Sequence, residues 1–274
     1  MGKGDACAES ARNDSDAERR NTPDPDAHEL VPGSVTWLGH STTVIELGGV
    51  RILTDPVIRT RVAHLRRASE IPASALSQVD LVLVSHVHWD HLDLASLWQI
   101  ERTTPVVVPS GAGVLLSRRG FRDVLEVEAG DAVGVRDISL RATHAEHTAT
   151  RGPFGVRAPS LGYLVERPRK IYFAGDTDLF KGMSEFSERL EVALLPISGW
   201  GPRVPPGHLD PERAARALQL LRPRIAIPIH WGTYWPMHSL RAPGRPADEF
   251  VRQAALRSPD VEIRVLAVGG SCVI

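Results

Sequence analysis

The sequence predicts an α/β fold in which two mixed sheets pack face to face and helices cover their outer faces. Short apolar runs of β type recur along the chain, standing first in hairpins and later alternating with helical patterns. So many short strands imply two sheets. The predicted strands are Val35–Leu38, Thr43–Leu47, Arg51–Thr54, Leu81–Ser85, Val106–Pro109, Val124–Val127, Ala132–Val135, Ser139–Ala142, Ser160–Val165, Lys170–Ala174, Val192–Pro196, Ile225–Ile229 and Glu262–Leu266.

Helical patterns are fewer than strand patterns. They cover Leu92–Trp98, Gly111–Arg119, Asp178–Phe186, Pro211–Leu221 and Pro246–Arg257. The strongest of them begins with Asp210 as a predicted N-cap and Pro211 at the first helical position. The last carries a predicted apolar stripe through Phe250, Val251 and Leu256.

Length and composition favour one folded domain after an unstructured start. The chain has 274 residues, 42% of them hydrophobic, which is enough for a large core. Residues 1–33 are rich in Asp, Arg, Ala, Pro and Ser without apolar periodicity, so we predict a disordered N-terminal tail there and a domain over residues 34–274.

Charge and cysteine usage limit the classes of partner. The formal net charge is −1, which argues against nucleic acid or an anionic membrane as a partner and favours a small molecule. Cys7 and Cys272 lie far apart and far from every histidine cluster, so neither a disulfide nor a thiolate site is expected. The first residues lack an apolar signal region and no later run is long enough to span a membrane, so we expect a cytoplasmic protein.

Four candidate metal ligands follow one apolar strand. The run Leu81–Val84 is followed within a few residues by His86, His88, Asp90 and His91. His86 and His88 are two apart in extended chain, so both imidazoles point to the same side and can reach one ion. Asp90 and His91 come after the chain turns and can serve a second ion. Three histidines and an aspartate at a strand end are hard to leave unpaired, so we interpret the run as a metal site rather than as surface histidines.

The run His86–His91 matches the H-x-H-x-D-H signature of the metallo-β-lactamase superfamily, and the resemblance extends from about Val35 to Leu266. The further motifs that carry it are Trp37-Leu38-Gly39-His40-Ser41, Leu53-Thr54-Asp55-Pro56, Gly175-Asp176-Thr177, His208-Leu209-Asp210-Pro211-Glu212 and Ile229-His230-Trp231-Gly232-Thr233. These resemble the branch that contains N-acyl-phosphatidylethanolamine phospholipase D and, more distantly, L-ascorbate-6-phosphate lactonase. The resemblance implies a four-layer αβ/βα sandwich of two mixed sheets with helices outside.

The resemblance also implies a dinuclear ligand set. His86, His88 and a third histidine would hold the first ion, and Asp90, His91 and His230 the second, with Asp176 bridging the two. Read from the residues alone, Asp176 and His230 each follow an apolar strand, at positions where a turn-capping role is also common.

The third ligand of the first ion is either His144 or His147, because both follow the strand Ser139–Ala142. The pattern P-x-x-H-x-x-x-R of the lipase-like members favours His147 as the ligand and matches Arg151 to the basic residue. His144 then becomes a group near the ligands or facing the substrate.

The ligand types point to metal-assisted hydrolysis. Imidazole and carboxylate ligands without thiolate suit Zn²⁺, with Mn²⁺ or Fe²⁺ as alternatives, and a di-iron redox member would typically carry Glu in place of His88. Two divalent ions a few ångströms apart can share a water and hold the resulting hydroxide beside an electrophile. Asp90 would orient that hydroxide and later take its proton, while His208, on a loop before a capped helix, would give a proton to the leaving group or else serve the helix entry.

Several residues are candidates for contact with the substrate. They are His40, His144, Arg151, Trp200, Tyr234 and Trp235. For His40 a hydrogen bond that orients an early loop is the favoured alternative, and for Tyr234 and Trp235 the alternative is core filling under a loop. The arginines of Ile58–Arg67 suit an anionic group, although a solvated basic face is the commoner outcome for such a run.

We therefore predict a hydrolase that attacks a phosphodiester, an ester or a lactone in a small or lipid-like molecule. A non-catalytic metal-binding or interaction module is the alternative, weakened because no ligand position is missing. A nuclease would need a large insert between Asp176 and His230 and a basic stripe, and neither is present. No amphipathic segment suggests stable membrane insertion, and the sequence does not indicate an oligomeric state.

Overall fold

Two seven-stranded sheets form the centre of the computed structural model. The structure describes residues 32–62, 65–71, 73–166, 169–199, 204–236 and 246–274. The tail predicted to be disordered, residues 1–33, lies outside the described residues except for its last two, and the first strand begins at Ser34.

The first sheet has the order β17-β1-β2-β3-β6-β7-β8, with strands numbered along the chain. Its strands are β1 (Ser34–Gly39), β2 (Thr42–Leu47), β3 (Val50–Thr54), β6 (Leu81–Leu83), β7 (Val106–Pro109), β8 (Val124–Val127) and β17 (Ser271–Val273). Pairing is antiparallel from β17 to β3 and parallel from β3 to β8, so the sheet is mixed.

The second sheet repeats this arrangement with the order β16-β14-β13-β12-β11-β10-β9. Its strands are β9 (Ala132–Val135), β10 (Ile138–Thr150), β11 (Arg157–Val165), β12 (Lys170–Phe173), β13 (Leu190–Pro196), β14 (Ile225–Ile229) and β16 (Glu262–Ile263). It is antiparallel from β9 to β12 and parallel from β12 to β16. A small third sheet joins β4 (Arg61–Val62), β5 (Leu65–Arg67) and β15 (Tyr234–Pro236).

Three apolar clusters define four layers. The central cluster joins the inner faces of both sheets, for example Ile52 of the first and Phe173 of the second, both fully buried. A second cluster lies under α3 (Pro211–Leu221) and α4 (Pro246–Arg257), and a third under α1 (Leu94–Leu97) and α2 (Gly113–Ser117). The order helix, sheet, sheet, helix confirms the predicted sandwich.

Among the predicted helices, α3 agrees best with the start signals in the sequence. The Asp210 side chain accepts from the Arg213 amide and Pro211 opens the helix, as predicted; such a cap contributes about 1 kcal/mol. In α4 only part of the predicted stripe is buried, because Phe250 is fully buried whereas Val251 and Leu256 are exposed. The pattern over Asp178–Phe186 is a 3-10 helix restricted to Lys181–Phe186.

The largest departure from the predicted strands concerns β10. The sequence predicts its end at Ala142, but it continues to Thr150 as one arm of a long hairpin with β11. The pairing register shifts between His144 and Thr148, so the strand carries a bulge at this point. Strands β4, β5, β15 and β17 were not predicted, because runs of two or three residues carry no readable alternation. No helix among the described residues has the length and apolarity to cross a bilayer.

Candidate metal centre

The candidate ligands come from the ends and one bulge of strands in both sheets. The run His86–His91 follows β6, Asp176 follows β12 and His230 follows β14, while His147 stands at the β10 bulge. Gly175 allows the close approach of the sheets here: its φ is +59°, and a Cβ at this position would lie 2.5 Å from the Ser85 Cβ. The His230 amide donates to the His40 carbonyl (2.8 Å), which joins the two sheets directly.

Three imidazoles form a first group. His88 Nδ1 lies 3.0 Å from His86 Nε2 and 3.2 Å from His147 Nε2. Nitrogens bound to one tetrahedral Zn²⁺ at about 2.0–2.1 Å are separated by roughly 3.3 Å, so these three atoms have nearly the spacing of a shared ion. The structure thus brings His147, and not His144, to the other two histidines.

Two imidazoles and two carboxylates form a second group. Asp176 Oδ2 lies 3.2 Å from His91 Nε2 and 3.4 Å from His230 Nε2. Asp90 Oδ2 lies 3.6 and 3.8 Å from the same two nitrogens. Asp176 Oδ2 also lies 4.0 Å from His86 Nε2, which places this carboxylate between the groups.

The far nitrogens of these imidazoles are held by hydrogen bonds. His147 Nδ1 donates to the Gly207 carbonyl (2.8 Å) and His230 Nδ1 to the Ser198 carbonyl (2.9 Å). His91 Nδ1 donates to Asp55 (2.6 Å). Such contacts fix the tautomer and the ring orientation, and they leave Nε2 of each ring directed at the centre.

Asp55 and Ser85 are supporting residues whose roles the sequence does not predict. Ser85 Oγ donates to Asp55 Oδ2 (2.6 Å) and accepts from His86 Nδ1 (2.9 Å), while the same carboxylate oxygen binds His91. One buried carboxylate therefore orients an imidazole from each group. The motif Leu53-Thr54-Asp55-Pro56 contained the signal, since Asp55 follows β3 as Asp176 follows β12.

The two groups differ in their electrostatics. Burial lowers the pKa of His86 and His88, and it lowers that of His147 to about 4, so these rings are neutral at pH 7. Burial would also lower the pKa of His91, but the carboxylates of Asp176, Asp90 and Asp55 raise it well above its usual value. Against the opposing effect of burial, nearby imidazoles hold the pKa of Asp176 well below its ordinary range.

The residues present fit two divalent cations. Asp176 Oδ1 is buried and accepts no hydrogen bond from any described residue, a costly state that a cation would relieve. The donors are imidazole nitrogens and carboxylate oxygens, and the described cysteine, Cys272, lies away from the centre in β17. Both observations agree with the ligand types that the sequence indicates.

His208 and His40 also border the centre. His208 Nε2 lies 3.4 Å from Asp176 Oδ2, and its ring meets the His147 ring edge-on at 4.6 Å. Burial lowers the pKa of His208, but contact with Asp176 outweighs this and the net pKa is raised. His40 is buried and its Nε2 lies 3.1 Å from Asp90 Oδ2.

Other predicted substrate contacts have different surroundings. His144 is exposed and faces Glu146 (3.3 Å) and the Phe180 ring instead of the ligand groups. Arg151 is buried, donates to the carbonyls of Val87 and Leu92 (3.0 and 2.8 Å), and lies over the Trp89 ring. It therefore braces the loop that carries His86–His91.

The remaining candidates for substrate contact are Tyr234 and Trp235, which follow β14, and Trp200. The Tyr234 hydroxyl is held by the carbonyls of Val57 and Arg59 and by Arg67, so this ring supports the loop beneath His40. Trp200 lies outside the described residues, and for Trp235 only the backbone is described.

The basic run Ile58–Arg67 is not a free anion site. Arg59 forms a bidentate pair with Asp93 (2.8 and 2.7 Å), and Arg67 is buried, donating to main-chain carbonyls such as that of Val57. Arg61 and Arg66 are exposed. The sequence alone did not reveal that two of the four guanidinium groups serve the fold.

Comparison with known proteins identifies the family of the chain. The family model described as beta-lactamase superfamily domain matches residues 50–231. The chain belongs to the metal-dependent hydrolases of the beta-lactamase superfamily. It is 32% identical to a UPF0173 metal-dependent hydrolase of Methanopyrus kandleri over 86% of this chain and 98% of that one.

This superfamily member is also similar to a phospholipase and to a solved structure of a metallo hydrolase. It is 29% identical to an N-acyl-phosphatidylethanolamine-hydrolyzing phospholipase D of Caenorhabditis elegans over 81% of this chain and 70% of that one. The solved structure of a metallo hydrolase from Ignicoccus hospitalis superposes with a TM-score of 0.69 at 25% identity, covering 89% of this chain and 99% of that chain.

Proposed function

We propose that the protein is a dinuclear hydrolase that attacks a phosphodiester, an ester or a lactone in a small or lipid-like molecule. The observation that carries the proposal is the pair of ligand groups joined by Asp176, one of three imidazoles and one of two imidazoles with two carboxylates. His86, His88 and His147 would hold one ion, and Asp90, His91 and His230 the other, with Asp176 between them. Zn²⁺ suits these donors best.

The bound ions would supply a water of lowered pKa and polarise the oxygen of the scissile group. Around them, the chain's own residues hold fixed positions. Asp176 Oδ2 lies 3.2 Å from His91 Nε2 and 3.4 Å from His230 Nε2, and Asp90 lies beside the same two imidazoles, where its carboxylate can orient a nucleophilic water.

His208 is placed to give the leaving group its proton. Its Nε2 lies 3.4 Å from Asp176 Oδ2, and although burial lowers the pKa of this ring, contact with Asp176 raises it by more in the metal-free protein. The side chain is only 12% exposed but is not sealed, so a substrate can reach it. The neighbouring Gly207 carbonyl orients His147, which ties this loop to the ligand set.

The substrate class follows from the chemistry of the centre and from the relatives. Metal polarisation suits carbonyl and phosphoryl oxygens alike. The relative in Caenorhabditis elegans is named for hydrolysing a phospholipid phosphodiester. A phosphodiester is therefore the first class to test, with esters and lactones beside it.

The test combines metal analysis with a hydrolysis screen. Purified protein should contain close to two divalent ions per chain and hydrolyse at least one of a panel of p-nitrophenyl phosphodiesters, p-nitrophenyl esters and lactones. His208→Gln should lower kcat while leaving metal content unchanged, because its role is proton donation. Two bound ions without hydrolysis of any panel member would favour the alternative of a metal-binding module, and a protein that binds no ion would overturn the proposal.

A further inference from the structure

His40 occupies a backbone position fixed by both sheets. It stands in the turn between β1 and β2 with φ +54°. Its amide donates to Thr233 Oγ1 (2.6 Å), and its carbonyl accepts from Trp37 Nε1 and from the His230 amide (both 2.8 Å). These main-chain bonds do not depend on the imidazole, and a histidine is not required to make them.

The imidazole of His40 is directed at the second ligand group. Its Nε2 lies 3.1 Å from Asp90 Oδ2, and its ring centroid lies 4.0 Å from that of His230 and 5.1 Å from that of His91. A neutral imidazole carries its single proton on one of its two ring nitrogens, and Nε2 is the nitrogen that lies within hydrogen-bond distance of Asp90.

We propose that His40 is a positioning residue for the second metal site, which orients the Asp90 carboxylate by donating a hydrogen bond from Nε2 to Oδ2. His91 and His230 have partners of this kind in Asp55 and the Ser198 carbonyl. His40 would be the corresponding hydrogen-bond partner of Asp90. A carboxylate oxygen has two acceptor sites, so the oxygen that binds His40 can still face the space between His91 and His230.

This assignment rests on the proposed two-ion centre and sharpens the roles of its residues. A carboxylate that accepts a hydrogen bond from a neutral donor is stabilised in its ionised form and is a weaker base. Asp90 then acts as ligand and orienting group more than as a proton acceptor. The proton that the leaving group takes up must therefore come from another residue of the centre. His208 is the residue placed to supply it.

The test compares two substitutions that differ by one methylene. His40→Asn tolerates the left-handed backbone but is too short to reach Asp90, whereas His40→Gln places an amide N–H near the position of Nε2. Zn²⁺ binding to metal-free protein is measured by competition with a chromophoric chelator. His40→Asn should weaken the second Zn²⁺ by about 10- to 100-fold and leave the first unchanged, and His40→Gln should restore most of the loss.

Matched measurements separate positioning from folding. Thermal midpoints of the metal-free variants should agree with each other, and His144→Ala, an exposed histidine outside the ligand groups, should bind both ions as the wild type does. Wild-type affinity for both ions in His40→Asn would overturn the assignment, as would equal weakening of both ions in both variants. Two tightly bound ions without hydrolysis would overturn the proposed function and leave the role of His40 intact.

Discussion

The two ligand groups differ in charge and in burial. The group of His86, His88 and His147 is built from neutral imidazoles, of which the last two are only partly buried. The second group adds the carboxylates of Asp90 and Asp176 to buried imidazoles. In the proposed centre, a cation in the first group would meet neutral imidazoles, whereas a cation in the second would also meet the negative charge of two carboxylates. We expect the first group to bind at neutral pH without losing a proton, and the second to lose the proton of His91 on binding.

The groups also differ in how the chain assembles them. Two members of the first group stand two residues apart after β6 and need only His147 from the second sheet. The second group draws on the end of β6, the end of β12 and the end of β14. The geometry of the second group therefore depends on how the two sheets pack together. Substitutions where the sheets meet should disturb the second group more than the first.

Loss of the shared carboxylate should have the largest effect. Asp176→Asn keeps the shape of the side chain but removes the charge that lies within 4.0 Å of His86, His91 and His230. We expect loss of the second ion and a fall in kcat/KM of more than about 100-fold, beyond the usual effect of a supporting residue. Metal analysis and steady-state kinetics check this. Normal metal content and rate in the variant would remove Asp176 from the centre.

Metal binding at the proposed first site should depend on His147 and not on His144. His147→Ala removes one of three nitrogens spaced for a shared ion, so we expect at least about a tenfold weaker first Zn²⁺ and a lower rate. His144→Ala removes an exposed imidazole from the same strand and should leave metal binding unchanged. Chelator competition on both variants measures the difference, and the opposite ranking would reassign the third ligand.

Arg151 should affect the stability of the loop that serves both groups. Arg151→Ala removes two buried hydrogen bonds from a charged donor, and we expect a loss of about 2–3 kcal/mol in the free energy of unfolding. Urea denaturation measures it, with Arg157→Ala, an exposed arginine of β11, as the matched control. Unchanged stability with a raised KM would instead support the substrate contact that the sequence suggested for Arg151.

The smallest predicted effect is a difference in proton release. The pKa of His91 in the metal-free protein is raised well above 6.5, so this ring is protonated at pH 7 and filling the second site should release about one proton. Affinity there should increase with pH until the pKa of His91 is passed. The pKa of His147 is lowered to about 4, so the first site should release no proton at pH 7 and weaken only as the pH falls toward that value.

Calorimetric titration of Zn²⁺ in two buffers of different ionisation enthalpy counts these protons. Equal proton release at the two sites would contradict the contrast in charge described above.

The elements whose determinants are local agree with the prediction from the sequence. The strand before His86, the capped start of α3 and the strands before Asp176 and His230 depend on patterns of a few residues, and these elements lie where they were predicted. Where pairing partners decide the structure, the prediction was wrong. Most of the residues after Ala142 are polar, and hydrogen bonding to β11 extends β10 through them to Thr150.

The amino-acid sequence alone therefore predicts the sandwich of two sheets, the superfamily motifs and the candidate ligands. The three-dimensional packing is needed to see which candidate side chains meet and which hydrogen bonds hold them. The proximity of His147, and not of His144, to His86 and His88 depends on a bulge in β10. The Asp55–Ser85, Asp55–His91 and His40–Asp90 hydrogen bonds join residues that are distant in the chain. The physical reason is that a hydrogen bond depends on distance and direction in space, and no spacing along the chain specifies either.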